Sequence, residues 1–281
     1  MNVVPTIADV RAAVAGARAR GETISFVPTM GALHEGHLSL VDAARRVGGY
    51  VVMSIFVNPL QFGPNEDLAR YPRDLESDTR RASERGTSLV FAPSVDEIYR
   101  RERTIEVRAI RLGEEWEGAS RPGHFTGVLT VVAKLFNIVQ PDFAVFGQKD
   151  LQQAALVQAM ARELDLPVEV MVEPTVRDSD GLALSSRNQF LGPADRMAAL
   201  ALPRALMKVR AAHKSGVRGG AELERVAEEV LAAEPGIDLD YLAVVDRRTF
   251  KRVKTGGAHA AAIAAVRVGG TRLIDNELLE S

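Results

Sequence analysis

The stretch PTMGALHEGH, residues 28–37, is the most informative part of the chain. It follows a short apolar run at residues 24–27, which predicts a strand, and precedes a segment of helical periodicity at residues 36–47. In open α/β sheets, ligands bind beyond the carboxyl ends of the strands, so a site is expected in this loop. Gly31 and Gly36 enclose four residues as in a P-loop, but the P-loop's lysine is absent, so the likeness stops at spacing.

His34 and His37 form a His-x-Gly-His pattern at the predicted start of that helix. Side chains three apart at a helix start share a face, and the helix amino terminus favours an anion. Two imidazoles beside backbone amides therefore favour a phosphate cradle for nucleotidyl transfer. The alternative is an ordinary turn with two solvated histidines. A zinc site is disfavoured because no third ligand stands nearby.

The rest of the chain alternates strand-like and helix-like segments, which is typical of βαβ units around a parallel sheet. Further strands are predicted at 50–57, 88–92, 143–146 and 168–172, and further helices at 74–85, 125–139 and 151–164. Residues 58–72 are rich in turn formers and predict a mobile loop. The last third of the chain begins with a polar segment at residues 177–193. It continues with an alanine-rich helical segment at 194–234 and with short strands predicted at 241–245, 262–268 and 272–274. The predicted fold is α/β: a Rossmann-like parallel sheet domain over residues 1–175 and a smaller α+β C-terminal domain over residues 176–281.

Composition narrows the class of protein further. The 281 residues are 46% hydrophobic with a net charge of −2, which predicts a globular protein and disfavours nucleic acid and anionic membranes as partners. The absence of cysteine excludes thiol nucleophiles, disulfides and thiolate metal sites. The amino terminus lacks signal-peptide features, and no apolar run reaches about 18 residues, so we expect a cytoplasmic protein.

A second candidate site lies at residues 147–150, Gly-Gln-Lys-Asp, after the strand predicted at 143–146. The chain has six lysines against 29 arginines, so Lys149 indicates a need for a compact, rotatable charge. The alternative is an ordinary helix start with Asp150 as the N-cap.

A third candidate is Leu-Ser-Ser-Arg at residues 184–187, where two hydroxyls and a guanidinium are suited to a phosphate clamp. The alternative is a polar linker. The other histidines, His124, His213 and His259, are assigned to structural or surface positions.

Together, PTMGALHEGH, FVNPLQFG, YPRD, FGQKD and DGLALSSRN resemble the pantothenate synthetase family, also called pantoate–β-alanine ligase, within the nucleotidylyltransferase superfamily. DYLAVVD and GTRLIDN in the tail resemble family segments too, so the likeness extends from about residue 28 to the end. One departure is Leu184, where many members have methionine; the two side chains have similar volumes, so only local packing is affected.

The resemblance implies a homodimer in which the smaller domain closes over the site. It implies that ATP and Mg²⁺ convert pantoate into pantoyl adenylate with release of pyrophosphate. β-Alanine then attacks the acyl carbon, giving pantothenate, a precursor of coenzyme A, and AMP. The ligands of magnesium stay unassigned.

The resemblance also implies roles for individual residues. The implied ATP-binding residues are Met30, Gly31, His34, His37, Gly147, Lys149, Asp150, Val176, Leu184, Ser185, Ser186 and Arg187. The implied catalytic residues among them are His34, His37, Lys149, Ser185, Ser186 and Arg187, with His37 matching the family's proton donor. Gln61 and Gln153 match the pair that grips pantoate, with Gln61 also near β-alanine and with Asn58 and Tyr71 in support.

Elementary chemistry favours the same route, because a carboxylate becomes a good acyl donor only once AMP is its leaving group. Two other functions stay open. A nucleotidyltransferase that makes a dinucleotide cofactor would share the histidines but would not need paired glutamines. A nucleotide-sensing module would bind ATP without turnover, and the combination of His34, His37, Lys149 and Arg187 argues against it.

Overall fold

A computed structural model describes residues 1–64, 66–99 and 102–279. Its internal contacts divide the chain into two compact units. The first unit comprises Met1–Gly147 and Leu156–Pro174, and the second comprises Gln148–Ala155 and Thr175–Ser281. Residues 148–155 thus group with the carboxyl-terminal part of the chain, and the domain limits at residues 175 and 176 stay a prediction.

The first unit is built on a six-stranded parallel sheet in the order β1-β4-β3-β2-β5-β6. Its strands are β1 Asn2–Val4, β2 Ile24–Thr29, β3 Tyr50–Ile55, β4 Leu89–Phe91, β5 Phe143–Gly147 and β6 Glu169–Glu173. The central strands are apolar along their length because helices cover both faces of a parallel sheet. The strand order reverses between β2 and β5, so the loop after β2 lies at the topological switch point where such sheets bind ligands.

Helices cover this sheet and supply the rest of its core. They are α1 Ile7–Ala19, α2 Glu35–Val47, α3 Leu75–Glu84, α4 Val95–Ile98, α5 Glu117–Ser120, α6 His124–Val139 and the later part of α7 Leu151–Glu163. Helix α6 is buried on most of its surface, and the Phe136 ring meets Phe26 of β2 edge-on at 6.4 Å. Helix α2 buries Leu38, Leu40 and Val41. This packing holds the amino terminus of α2 beside the end of β2.

The second unit has a three-stranded antiparallel sheet in the order β7-β8-β9. Its elements are the helices α8 Pro193–Ala199, α9 Ala201–Lys214 and α10 Gly220–Ala232 and the strands β7 Ile237–Asp246, β8 Ala260–Val268 and β9 Thr271–Leu278. Buried alanines on both layers, among them Ala205, Ala227 and Ala264, let the helices pack closely against the sheet. The predicted α/β class with a smaller α+β part is confirmed.

Three sequence predictions need correction in detail. The predicted elements begin at residue 24 and omit β1 and α1, which precede it; β1 has only three residues and α1 is alanine-rich, so neither carries a strong pattern. Residues 194–234 form three helices, since Gly216, with φ of 106°, ends a helical run. Residues 58–72 contain two short 3₁₀ helices, Pro59–Gln61 and Asp67–Ala69. Within the described residues, every helix is too short or too polar to cross a bilayer.

Candidate active site

The loop at residues 28–37, called the signature loop below, ends in two stacked histidines. His34 is the N-cap of α2, and its Nδ1 accepts a hydrogen bond from the Gly36 amide at 3.2 Å. The Nδ1 of His37 accepts from the His34 amide at 3.4 Å, and the two ring centroids lie 4.1 Å apart. Because each Nδ1 accepts a backbone N–H, each neutral ring carries its proton on Nε2. The loop therefore holds two Nε2–H donors at a helix amino terminus.

A buried carboxylate holds the middle of the signature loop. Asp78 on α3 accepts hydrogen bonds from the amides of Ala32, at 2.9 Å, and Leu33, at 2.8 Å. Gly31 has φ of 84°, and a Cβ there would lie 2.7 Å from the Asp78 carboxylate, so glycine is required. Burial raises the pKa of Asp78, and its two amide hydrogen bonds act in the opposite direction. Asp78 thus fixes the loop's backbone, although burying its carboxylate costs free energy.

Gln61 is the centre of a second cluster in the same unit. Its Oε1 accepts from Asn58 Nδ2 at 3.1 Å, and its Nε2 donates to the Met30 sulfur at 3.0 Å. Asn58 is 1% exposed, and its Oδ1 accepts from the Leu60 amide and the Tyr99 hydroxyl. Since Oδ1 is the acceptor there, the Asn58 amide must be the donor towards Gln61. The orientation of the Gln61 amide is therefore fixed, with Nε2 as its outward donor.

The backbone carbonyl of Gln61 is held by two side chains. Its carbonyl accepts from His124 Nδ1 at 2.8 Å and from Arg121 at 3.2 Å. Arg121 also forms a two-bonded pair with Glu66, at 2.6 and 2.7 Å. Burial raises the pKa of Glu66, but the hydrogen bond and charge of Arg121, together with the Gly63 backbone hydrogen bond and the charge of His124, lower it overall. His124, assigned from the sequence to a structural or surface position, therefore supports a predicted binding residue.

Two contacts in this cluster had no signal in the sequence. Tyr99 donates to Asn58 at 2.9 Å, and burial raises the pKa of Tyr99 to about 12, so its hydroxyl keeps its proton. Gly127 of α6 accepts from Asn58 through its carbonyl, and a Cβ at Gly127 would overlap the Leu60 carbonyl. Tyr99 follows a four-residue helix in an irregular stretch, so no periodicity singles it out.

Beside these clusters lies a cavity of about 290 Å³. It opens at the carboxyl ends of β2, β3 and β4, and its lining includes Met30, Ile55, Val57, Leu75, Asp78 and Val95. Tyr71, a predicted pocket residue, is buried and packs edge-on against Phe62 at 5.9 Å. The first unit thus brings Met30, Gly31, His34, His37, Asn58 and Gln61 into one connected region, and Tyr71 packs on the loop that follows Gln61.

The second unit carries the other predicted residues. The 3₁₀ helix Gln148–Asp150, called the lysine turn below, follows β5, which ends at Gly147. Lys149 Nζ lies 4.0 Å from the Asp150 carboxylate. Asn276 of β9 binds the backbone carbonyls of Gln148 and Lys149 at 2.9 and 3.0 Å. Gln153 is half-buried on α7, three residues after this turn.

Residues 176–187 form a tight local structure in the same unit. The Leu184 amide donates to the Val176 carbonyl at 3.0 Å. Ser185 caps the 3₁₀ helix Ser186–Phe190, accepting from the Arg187 amide at 3.2 Å. Ser186 and Arg187 are half-buried. The segment therefore has a defined local structure, and it places two hydroxyls and one guanidinium in consecutive positions at residues 185–187.

Comparison with known proteins decides the family. The model of the pantoate–β-alanine ligase family matches residues 2–278. Pantothenate synthetase of Moorella thermoacetica is 53% identical over 280 residues, covering 100% of this chain and 99% of that protein. The chain belongs to the pantoate–β-alanine ligase family.

Solved structures agree. A pantothenate synthetase from Thermus thermophilus matches with a TM-score of 0.95 and 49% identity, with both chains fully covered. The Francisella tularensis pantoate–β-alanine ligase, solved with "Beta-gamma ATP" and β-alanine, matches with a TM-score of 0.82 and 32% identity, covering 100% of this chain and 98% of that one. As a family member, the chain is an AMP-forming ligase that condenses pantoate with β-alanine at the expense of ATP. The predicted family, fold class and overall ATP-dependent condensation are confirmed.

Proposed function

We propose that this ligase works through a pantoyl adenylate and that the residues described above carry it. A pantoate carboxylate oxygen attacks the α-phosphorus of ATP, the bond to the bridging oxygen breaks, and pyrophosphate leaves. The β-alanine amine then attacks the acyl carbon, loses a proton and displaces AMP. The observation that carries the proposal is the pair of Nε2–H donors of His34 and His37 at the amino terminus of α2.

The two histidines serve the first step. Negative charge builds up on the phosphate oxygens as the bond to pyrophosphate breaks, and neutral N–H donors fixed in advance stabilise it without reorganisation. His37, which matches the family's proton donor, is assigned to donate a hydrogen bond from Nε2, because its Nδ1 accepts from the His34 amide and the ring N–H is therefore on Nε2. Met30 and Gly31 bring the signature loop's backbone to ATP.

Gln61 serves pantoate. Its Nε2 contacts only a thioether sulfur among the hydrogen-bond acceptors described, and sulfur is a weak acceptor. A pantoate carboxylate or hydroxyl oxygen is a better partner and replaces Met30 when the substrate binds. Asn58 keeps the Gln61 amide in the donating orientation. Gln153 is assigned the other half of the pantoate grip, Tyr71 supports the pocket, and Gln61 also serves β-alanine.

The second unit's residues are assigned to ATP. Lys149, Ser185, Ser186 and Arg187 supply one ammonium, two hydroxyls and one guanidinium, a donor set that suits a triphosphate. Gly147 and Asp150 are assigned to the ribose and phosphates, Val176 to the adenine and Leu184 to the triphosphate. These assignments rest on the motif matches and on the order of residues 176–187 described above.

Magnesium enters this proposal with ATP. Within the described ranges, no three histidine, aspartate or glutamate side chains form a group that could hold a metal. In nucleotide-binding enzymes, Mg²⁺ keeps several waters and is bound largely through the phosphates of the substrate. We therefore assign the ion to ATP, which brings it into the site. When bound, it supplies charge neutralisation at the phosphates. A cytoplasmic homodimer stays a prediction.

The test is pantoate-dependent release of pyrophosphate in the absence of β-alanine. We expect about one pyrophosphate per subunit in a burst, and continuous release of AMP and pantothenate once β-alanine is added. Omission of pantoate is the matched control. Release of ADP and phosphate would contradict the adenylate, and a retained adenylyl product would favour a dinucleotide-forming transferase.

A further inference from the structure

The tail motif GTRLIDN, residues 270–276, ends in an asparagine buried in the second unit. Asn276 of β9 is 2% exposed, yet its carboxamide makes three hydrogen bonds to a segment 127 to 128 positions away. Its Nδ2 donates to the carbonyl of Gln148 at 2.9 Å and to the carbonyl of Lys149 at 3.0 Å. Its Oδ1 accepts from the Gln148 side-chain amide at 3.0 Å.

These bonds use the asparagine side chain fully. Its two N–H donors have two carbonyl acceptors, and its oxygen has a donor, so the group is satisfied in a buried setting. The neighbouring Asp275 is also engaged, in a two-bonded pair with Arg177 at 2.7 and 3.1 Å, and it accepts from the Asn276 amide. The end of β9 is therefore held by its own hydrogen bonds and in turn holds the lysine turn.

We propose that Asn276 is a positioning residue for Lys149. The inference rests on the proposed role of Lys149 at the ATP phosphates. Lysine carries its charge on a flexible four-carbon stem, so the place of Nζ depends on how well the backbone beneath it is fixed. Asn276 holds the carbonyl of Lys149 itself and the carbonyl before it, which fixes the two peptide units that flank Lys149. The ammonium is thereby aimed before ATP arrives.

The size of the effect follows from the sensitivity of group transfer to geometry. A misplacement of about 1 Å can lower a rate about a hundredfold. We expect Asn276→Ala to lower the rate of pantoate-dependent pyrophosphate release about tenfold to a hundredfold, with the pantoate KM within a few-fold of the parent. Asn276→Asp keeps the shape but sets a carboxylate against two carbonyl oxygens, so its loss should be at least as large.

The deciding experiment is a double-mutant cycle between Asn276→Ala and Lys149→Ala, read by single-turnover pyrophosphate release. If Asn276 acts through Lys149, the double variant should be no slower than Lys149→Ala alone. The matched control is Glu277→Gln, on the next residue of β9, whose carboxylate pairs with Arg210 and Arg177; its rate should stay within about twofold of the parent. Circular dichroism and a cooperative melt show that each variant is folded.

Other outcomes overturn the inference in distinguishable ways. Multiplicative losses in the double variant would show that Asn276 acts independently of Lys149, leaving the proposed function intact. A parent-like rate for Lys149→Ala would remove the proposed role of Lys149 and the inference with it. Loss of the cooperative melt in both Asn276→Ala and Asn276→Asp would make the residue a folding determinant.

Discussion

The signature loop and the lysine turn carry comparable proposed chemistry but are held by different means. In the signature loop, His34 and His37 bind backbone amides within their own four-residue stretch. The lysine turn is held by Asn276, which lies 127 residues from Lys149 along the chain. The backbone beside the two histidines is therefore held by neighbours in sequence, whereas the lysine turn is held only once a distant strand of the second unit is in place.

Gln61 belongs between these two cases. Its side chain is oriented by Asn58, three residues away, whereas its backbone carbonyl is held by His124 and Arg121, which are 63 and 60 residues away. The side-chain contact lies within the FVNPLQFG motif, and the backbone contact does not.

The largest expected loss of rate comes from removing the proposed donor in either region, the signature loop or the lysine turn. His37→Ala and Lys149→Ala should each lower single-turnover adenylation about 10²–10³-fold, the usual loss for one fixed transition-state donor. The exposed His259 and Lys208 offer matched controls, since alanine at either should leave the rate unchanged. A near-parental rate for either site variant would remove that residue from the mechanism.

Gln61→Ala tests the residue that is held by both local and distant contacts, and its effect should fall on pantoate binding. We expect the pantoate affinity to fall about 10–100-fold, because a hydrogen bond to a charged group contributes about 1.5–3 kcal/mol. ATP affinity should stay within a few-fold of the parent. Calorimetric titration of each ligand separates the two; a collapse of ATP binding with pantoate binding intact would place Gln61 in the nucleotide site.

Asp78 tests how local the signature loop is, because it lies 46 residues from Ala32. Asp78→Ala leaves two loop amides without an acceptor, which should reduce the free energy of unfolding by about 1–3 kcal/mol and slow adenylation. Asp78→Asn keeps one acceptor and should lose less. Denaturant unfolding measures both, and equal stability of Asp78→Ala and the parent would show that the loop holds its shape alone.

The pH dependence of the Asp78 variants has a definite sign. Because burial raises the pKa of Asp78, the folded protein binds this proton more tightly than the unfolded chain. Its contribution to stability therefore falls as pH rises from the usual aspartate range through the raised pKa. Asp78→Asn removes this slope, which chemical denaturation at a series of pH values would detect.

The smallest effect concerns Glu66. Burial raises the pKa of Glu66, but Arg121, the Gly63 backbone hydrogen bond and His124 together lower it below its usual value. The stabilisation that Glu66 contributes is therefore present above the pKa of the unfolded chain and is lost as pH falls through the lowered pKa of the folded protein. Glu66→Gln should reduce the free energy of unfolding by about 1–2 kcal/mol at neutral pH, because Arg121 loses one of its charged partners, and the difference should vanish in acid. Glu163→Gln, in a largely exposed pair with Arg162, is the control and should have no measurable effect.

The features that local sequence predicts well are those held by local contacts. The strand, loop and helix around His34 and His37 follow from apolar patterning and a helix start, and the structure keeps them with boundaries changed by one or two residues. The position of Lys149 after β5 follows from the same alternation of strand and helix.

The residues that hold the candidate site residues in place could not be predicted, because each of them reaches its partner only through the fold. Asp78 lies on a charged helix whose pattern indicates a solvated surface, and it is nevertheless buried. Arg121 and His124 follow an irregular stretch without periodicity. GTRLIDN was visible as a motif, but its sequence does not indicate that Asn276 binds the lysine turn.

The proposed adenylate route requires that an oxygen of the pantoate carboxylate attack the α-phosphorus of ATP. The most direct measurement uses pantoate labelled with ¹⁸O in its carboxylate, followed by mass spectrometry of the products after complete turnover with β-alanine. We expect one labelled oxygen in each AMP and none in pyrophosphate, because the attacking carboxylate oxygen leaves with AMP. Label in inorganic phosphate, with AMP unlabelled, would contradict it.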